Sequence, residues 1–225
     1  GNLGAGTTII LGSDGHNGTL KADTAAARSV NRNIVLAAGG SGTIENSDYM
    51  DISGVISGEG GLIKKGLNAG AHNSGSCLSL TGANTYTGDT YIVEGVIQAA
   101  GAGALPNTTN VHIDAAGNGR LRIHRDEAIN GLFGNGIVQT YSGDARTLTI
   151  GAADGDGDFS GAIEPGISLV KTGEGTQILR GLSTFTGDVT IAQGSLDVID
   201  IGDQGMAGNL GAGTTIILGS DGHNG

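Results

Sequence analysis

The first 18 residues of the chain occur twice. Gly1–Gly18 return letter for letter as Gly208–Gly225, an offset of 208 − 1 = 207 positions in a chain of 225 residues. Self-similarity at a fixed period is the signature of repeat architectures. The sequence therefore predicts one full period at residues 1–207 and the start of an identical period at 208–225. Since the chain begins without Met, we expect it to be a window of a longer array.

A weaker repeat lies inside this period. Leu62–Lys64 (LIK) matches Leu169–Lys171 (LVK), and Thr85–Asp89 (TYTGD) matches Thr184–Asp188 (TFTGD). The offsets are 169 − 62 = 107 and 184 − 85 = 99, because the second half lacks most of the loop Gly66–Gly75 (GLNAGAHNSG). The period is thus predicted to contain two sub-repeats of roughly a hundred residues each.

Glycine is the most distinctive feature of the composition. There are 45 glycines but 2 prolines and no tryptophan, and hydrophobic residues make up 37% of the chain in short clusters between glycines. This pattern is typical of many short strands joined by tight turns, since glycine readily adopts the positive φ that such turns need. Ala22–Ser29 has some helix propensity, but its length favours a loop or one helical turn. The sequence predicts an all-β protein.

Charge and hydropathy exclude several classes of partner. The formal net charge is −11, which argues against nucleic acid and against an anionic membrane surface, both of which attract clustered Lys and Arg. No apolar run reaches the roughly 18 residues of a membrane-spanning helix. Cys77 is the single cysteine, so an internal disulfide is excluded; a small buried hydrophobe is expected there, with a reactive thiol as the alternative.

Three architectures fit short serial strands without helical crossovers: a sandwich, an antiparallel barrel and a β-solenoid. A sandwich core usually contains large aromatic residues, whereas this chain has 3 Phe and no Trp. Small aliphatic side chains suit stacked turns in which each covers the previous one. We therefore expect a right-handed parallel β-helix of about ten rungs per 207-residue period, a rung being one turn of roughly 20 residues, with a rise on the order of 50 Å.

The strings GGLIKKG and LSLTGANTYTGDTYIVEGVIQA, with ISLVKTGEGTQILRGLSTFTGDVTIAQGSLDVI in the second half, make the interpretation more specific. They resemble the autotransporter-associated β-strand repeat of bacterial surface proteins, and Asn33–Glu45 is similar to that family's preceding rung. The resemblance implies a secreted passenger-type β-helix that is exported through a separate C-terminal barrel. Members of the family act mostly as adhesins, stalks or surface scaffolds.

Asp154, Asp156 and Asp158 alternate with glycine, and Glu164 follows shortly after. Alternating carboxylates are typical of the first half of a calcium-binding loop. However, the last position of a twelve-residue loop falls on Pro165, and the nonapeptide calcium repeat needs several copies. A solvated acidic turn is therefore expected, with weak calcium binding as the alternative.

Other candidate residues give weaker signals. Histidines 16, 72, 112, 124 and 223 lack metal-ligand spacing. Asp126 and Glu127 are neighbours on a strand and so should point to opposite faces; a solvated charge cluster is expected rather than a catalytic pair. Tyr86 and Phe185 occupy one register and are expected to pack rather than to stack on sugars. We expect no catalytic, cofactor or metal site and no enzyme activity.

The function expected from the sequence is a structural, extracellular repeat that forms a stiff rod or filament at a bacterial cell surface. The partner would then be the chain itself, through end-to-end stacking of tandem repeats. The alternative is an adhesin passenger that binds surface or polysaccharide ligands through exposed loops, with Gly66–Gly75 and Asp154–Asp158 as the contacts. A single binding site normally occurs once, whereas tandem copies repeat every loop, which favours the structural role.

Overall fold

The computed structural model describes residues 6–22, 28–66, 76–213 and 215–219. Within these residues every regular element is a β-strand and every pairing between strands is parallel. The described residues include no helix long and apolar enough to cross a membrane. The strands are β1 Thr8–Leu11, β2 Gly18–Ala22, β3 Arg28–Val30, β4 Asn33–Leu36, β5 Ser41–Asn46, β6 Met50–Ile52, β7 Ile56–Gly58, β8 Gly61–Lys65, β9 Cys77–Leu80, β10 Thr90–Ile92, β11 Val96–Ala99, β12 Asn110–Ile113, β13 Arg120–Ile123, β14 Glu127–Ile129, β15 Gly131–Gly134, β16 Ile137–Thr140, β17 Arg146–Ile150, β18 Gly157–Phe159, β19 Ala162–Ile163, β20 Ile167–Lys171, β21 Thr176–Leu179, β22 Val189–Ile191, β23 Ser195–Val198 and β24 Ile216–Leu218.

The strands are distributed over three sheets that the chain visits in a fixed order. Sheet 1 runs β2-β5-β8-β10-β12-β15-β18-β21-β23, and sheet 2 runs β3-β6-β9-β11-β13-β16-β19. Sheet 3 consists of two segments, β1-β4-β7 and β14-β17-β20-β22-β24. Neighbours in a sheet are one circuit of the chain apart, and each circuit lies on the previous one. The predicted all-β solenoid of stacked parallel strands is therefore confirmed.

The solenoid has fewer rungs than the ten expected from the sequence. Sheet 1 contains nine strands and thus about eight turns. Several rungs are longer than 20 residues: Gly18 pairs with Gly42, which is 42 − 18 = 24 positions later, and Leu62 pairs with Thr90, which is 90 − 62 = 28 positions later. The longest rung carries the loop Gly66–Gly75, of which the structure describes only Gly66. Loop insertions at the corners lengthen rungs without adding turns.

Individual strands also differ from expectation. The sequence pattern of Phe159–Ile163 predicts one strand. In the structure this range is divided between β18 and β19, which lie on different sheets with a corner at Ser160 and Gly161. In Ala22–Ser29, residues 23–27 lie outside the described part, and Arg28 and Ser29 belong to a strand. This corner takes up only two residues, so the sequence pattern does not reveal it.

The core is a column of aliphatic side chains that point into the solenoid from all three sheets. Inward positions stack in register, so that Ile97 on β11 pairs with Leu78 on β9 and Leu121 on β13. All three are fully buried. Because similar residues lie above one another, each rung buries its apolar face against the next rung. A single rung could not bury this face alone.

Buried lysines close one corner of each sub-repeat. The Lys64 Nζ atom donates hydrogen bonds to the carbonyls of Lys65 (2.6 Å), Gly66 (3.2 Å) and Glu94 (3.2 Å). Lys171, 107 positions later, makes the equivalent bonds. Its acceptors are the carbonyls of Thr172, Gly173 and Gln193. Burial lowers the pKa of Lys64 to about 8. Each amine satisfies carbonyls that the sharp corner leaves without a ladder partner.

Both sub-repeats bury a pair of residues at the same two positions, but the side chains of the pair differ. Tyr86 Oη and Thr90 Oγ1 lie 2.7 Å apart in the core, and Thr109 Oγ1 continues the hydrogen-bonded chain at 3.0 Å. In the second sub-repeat the same positions are Phe185 and Val189, both buried. Both hydroxyls are lost together, so that no buried polar group is left without a partner.

Candidate functional site

The same strand occurs at both ends of the solenoid in different surroundings. Strand β1 (TIIL) and strand β24 (IIL) come from the identical 18-residue segments. Leu11 in β1 is 5% exposed, because β4 pairs with β1 and the next rung covers it, whereas Leu218, its counterpart in β24, is 71% exposed. Identical sequence with opposite burial shows that Leu218 is directed into a core whose next layer is absent from the described residues.

The C-terminal end of the solenoid is therefore an open apolar face. Strand β24 pairs with β22 on one side, and its other edge has no strand partner in the described part of the chain. On the inward side of β24, Ile216 and Leu218 pair with Val189 and Ile191 of β22 and are 45% and 71% exposed. An unpaired edge beside exposed core residues is a template for a further parallel strand.

A polar cleft of about 690 Å³ lies on the outer surface of sheet 2. Its floor is formed by Gln98, Arg122 and Gln139, which are paired side by side on β11, β13 and β16 and are each 6% exposed. Its wall includes His124 and Tyr141, whose rings stack at a centroid distance of 4.6 Å. The remaining lining residues are Tyr49, Cys77, Thr140, Ser142 and Glu164.

Arginine side chains fix the orientation of both floor amides. Arg122 Nη1 donates to Gln98 Oε1 at 3.5 Å, and Arg120 Nη1 donates to Gln139 Oε1 at 3.0 Å. Arg120 Nη1 also lies 3.8 Å from Glu164 Oε1. Since each amide oxygen accepts from a guanidinium, the amide NH₂ groups are the free ends of both glutamines.

A second surface feature is an aromatic ladder on sheet 1. Tyr91, His112 and Phe133 occupy one register on β10, β12 and β15, with ring centroids 4.5 and 4.8 Å apart and nearly parallel planes. Asp89 Oδ2 lies 3.0 Å from His112 Nε2 and holds the central ring. Because the rings cover one another's faces, the ladder stabilises adjacent strands and does not present a flat ring to a ligand.

Comparison with known proteins agrees with this architecture. The family model of the passenger-associated transport repeat matches residues 78–99 and 169–198, which contain β10, β11 and β21 to β23 and most of β9 and β20. A curated relative, the adhesin BmaC autotransporter of Brucella suis biovar 1 (strain 1330), is 31% identical over 179 residues. The chain carries autotransporter passenger repeats. Such repeats are extracellular and lie at the cell surface.

The aligned region is a large part of this chain but a small part of the relative. The aligned region covers 77% of this passenger repeat but 5% of the adhesin's length. No solved structure matches the chain. The first family match contains Tyr86 and Glu94, whose carbonyl accepts from Lys64 Nζ, and the second contains Lys171 and Phe185.

The aspartates of the passenger repeat's acidic segment bind within the protein. Asp154 Oδ1 accepts a hydrogen bond from the Glu174 backbone N–H (2.9 Å), and Asp156 Oδ1 accepts one from Thr176 (2.7 Å). Asp158 pairs with Arg180. Each carboxylate thus reaches the next rung. Glu164 lies apart from them, in the cleft on sheet 2. The described residues contain no cluster of three or more His, Cys, Asp or Glu arranged to hold a metal.

Asp126 and Glu127 do point to opposite faces, but the expectation of a solvated cluster is wrong for Glu127. Asp126 is exposed and accepts a hydrogen bond from the Thr147 N–H. Glu127 is 5% exposed in the core, where its Oε1 accepts from the Leu105 N–H at 3.0 Å and its Oε2 has no partner. Burial raises the pKa of Glu127 to about 7. Strand β14, which contains Glu127, carried no clear strand signal in the sequence.

The remaining candidates are structural. Cys77 is fully buried, and burial raises the pKa of its thiol to about 11, which keeps it as an unreactive thiol. Tyr86 and Phe185 are buried core residues. His16 contacts the Asp14 carbonyl, while His72 and His223 lie outside the described residues. The sequence missed the cleft, because its residues come from six successive rungs, from Tyr49 beside β6 to Glu164 beside β19.

Proposed function

We propose that this passenger repeat is the building unit of a stiff surface rod in which identical units continue one solenoid without a linker. The observation that carries the proposal is the contrast between Leu11 and Leu218. Each half of the proposed junction has a separate counterpart in the chain: β24 pairs with β22, and the identical strand β1 pairs with β4. Strand β24 would then receive the β4 sequence of the next unit.

The register of the junction follows from the β1–β4 pairing. Thr8 pairs with Asn33 and Leu11 with Leu36. In the proposed array, Leu218 therefore lies beside the next unit's equivalent of Leu36. Eight turns at about 4.8 Å rise by roughly 40 Å, and every further unit extends the same core. Stability would accumulate through nearest-neighbour contacts between rungs. The proposed role is not enzymatic.

A tandem chain tests this role, with residues 1–207 placed before residues 1–225. We expect electron microscopy to show one unbranched rod about twice as long as the single chain. We also expect the amides at positions 216–218 of the tandem chain, which are Ile9–Leu11 of its second copy, to exchange hydrogen far more slowly than Ile216–Leu218 of the single chain. Two separate particles on a string, or unchanged exchange at the junction, would refute a continuous solenoid.

Leu218→Ala supplies a matched control. In the single chain Leu218 is mostly exposed, so the substitution should change the unfolding free energy by less than about 0.5 kcal/mol. At the junction of the tandem chain the same residue would be buried as Leu11 is, and the loss should reach about 2–4 kcal/mol. Equal effects in both chains would contradict burial at the junction.

A further inference from the structure

The cleft on sheet 2 contains hydrogen-bond donors that have no acceptor among the residues the structure describes. Gln98 and Gln139 are more than nine-tenths buried, and their amide oxygens accept from Arg122 and Arg120. Among the described residues, no group accepts a hydrogen bond from either Nε2 atom. The buried Thr140 hydroxyl, in the same lining, also has no partner. A buried hydroxyl without a partner costs about 1–3 kcal/mol, so Thr140 favours an occupant. The two amide Nε2 atoms are not fully buried and remain open to the cleft.

The chemistry of the floor limits what that occupant can be. Two amide NH₂ groups supply four N–H donors, and two guanidinium groups lie beside them. Glu164 is the carboxylate of this cleft. A ligand that fits must therefore bring many acceptor oxygens and some negative charge. Positive charge concentrated here is notable in a chain whose net charge is −11.

The shape of the cleft limits it further. Gln98 and Gln139 are two strand spacings apart, which is roughly 9.6 Å, and the line between them follows the solenoid axis. The stacked pair of His124 and Tyr141 forms an amphipathic wall beside this line, and Tyr141 is 43% exposed. An extended polymer can follow such a line from one rung to the next.

We infer that this cleft binds a segment of acidic polysaccharide, with Gln98 and Gln139 donating to sugar oxygens and the two arginines attracting the carboxylates. An acidic peptide fits less well, because its backbone N–H groups can only donate and the floor has few acceptors for them, whereas each sugar hydroxyl can itself accept from the floor. This binding site is independent of the rod role: the rod could form without it, and the site could bind in a single unit.

Binding to an oligogalacturonide, measured by calorimetry on the 225-residue chain, tests the inference. A neutral gluco-oligosaccharide and an oligo-glutamate serve as comparison ligands. We expect binding of the oligogalacturonide only, with an affinity that falls as salt is raised. No binding of the oligogalacturonide, or equal binding of the neutral sugar, overturns the proposal. Equal or tighter binding of oligo-glutamate assigns the cleft to acidic peptides instead.

Substitutions assign the binding to the cleft. Gln98→Met and Gln139→Met keep the length of the side chain but remove the donors, and each should weaken binding about 5- to 10-fold. Gln204→Met, at an exposed position outside the cleft, should leave the affinity unchanged. If the glutamine variants bind as the parent does, the proposal is wrong.

A charge variant keeps the test valid if a floor variant does not fold. The Glu164 side chain is 40% exposed, so Glu164→Gln should preserve the fold, as judged by the melting temperature. It removes the cleft's negative charge and should tighten binding of the oligogalacturonide several-fold. Unchanged or weaker binding would contradict an anionic ligand.

Discussion

Glu127 makes the stability of this solenoid depend on pH. Its carboxyl lies in the aliphatic interior, and burial raises its pKa from 4.5 to about 7. Near pH 4.5 and below, folded and unfolded chains both tend to hold the proton. Between pH 4.5 and 7 the unfolded chain loses it while the folded chain keeps it, so stability falls as pH rises. Above pH 7 the loss is complete.

The size of this effect follows from the shift. A difference of 7 − 4.5 = 2.5 pKa units corresponds to about 3 kcal/mol at 1.36 kcal/mol per unit. Glu127→Gln cannot ionise, yet its amide oxygen can still accept from the Leu105 N–H. The unpartnered Oε2 of Glu127 becomes an unpartnered NH₂, so parent and variant are closely matched when the carboxyl is protonated. We therefore expect the variant to be more stable by about 3 kcal/mol at pH 8.

Urea unfolding of parent and Glu127→Gln between pH 5.5 and 8.5 measures the difference. With 22 acidic and 11 basic residues the chain loses net charge near pH 4.5 and would precipitate there. The part of the Glu127 pKa shift that lies between pH 5.5 and 7 is about 1.5 pKa units, which corresponds to about 2 kcal/mol of stability. The ratio of Leu105 amide exchange rates in the two proteins, compared at each pH, reports the same difference locally.

The decisive quantity is the change in the variant-minus-parent free energy across this pH range. If that difference is constant from pH 5.5 to 8.5, Glu127 does not carry a raised pKa and the reasoning fails. Glu59→Gln, on the exposed surface, reports the effect of removing a carboxylate outside the core. If the difference in unfolding free energy between Glu59→Gln and the parent changed with pH by as much, the pH dependence would follow from overall charge and not from the burial of Glu127.

Three further tests address the packing and the corners of the solenoid. Lys64→Met should lower the free energy of unfolding by about 2–3 kcal/mol, since three carbonyls lose their donor, whereas Lys65→Met should cost less than about 0.5 kcal/mol; chemical denaturation distinguishes them. Tyr86→Phe and Thr90→Val should each lower the free energy of unfolding. In a double-mutant cycle, the double variant should lose about 1 kcal/mol less than the sum of the two single losses. Additive losses would contradict coupling between the two hydroxyls. Gly134→Ala should cost more than about 1 kcal/mol, because its φ is +94° and a Cβ would clash with the carbonyl oxygen of Ile113; an unchanged melting temperature would refute this.

The sequence alone determined the class of fold and the position of the repeat. Identity between Gly1–Gly18 and Gly208–Gly225, together with glycine-separated aliphatic clusters, was enough to predict stacked parallel strands. It was enough because each rung is a local unit whose inward residues recur at the same register in its neighbour. The matches between the sub-repeats at Lys64 and Lys171 likewise marked a shared position, although their burial was not foreseen.

Tertiary structure alone decided where each corner falls, which carboxylate is buried and which side chains meet. Glu127 and Asp126 are adjacent in the chain, but the direction of the strand places one in the core and the other in solvent. The cleft brings together Gln98 and Gln139, which are 139 − 98 = 41 positions apart, because two circuits of the chain return it to sheet 2. Rung lengths vary with corner insertions, so sequence spacing does not fix these contacts, whereas parallel pairing in three dimensions does.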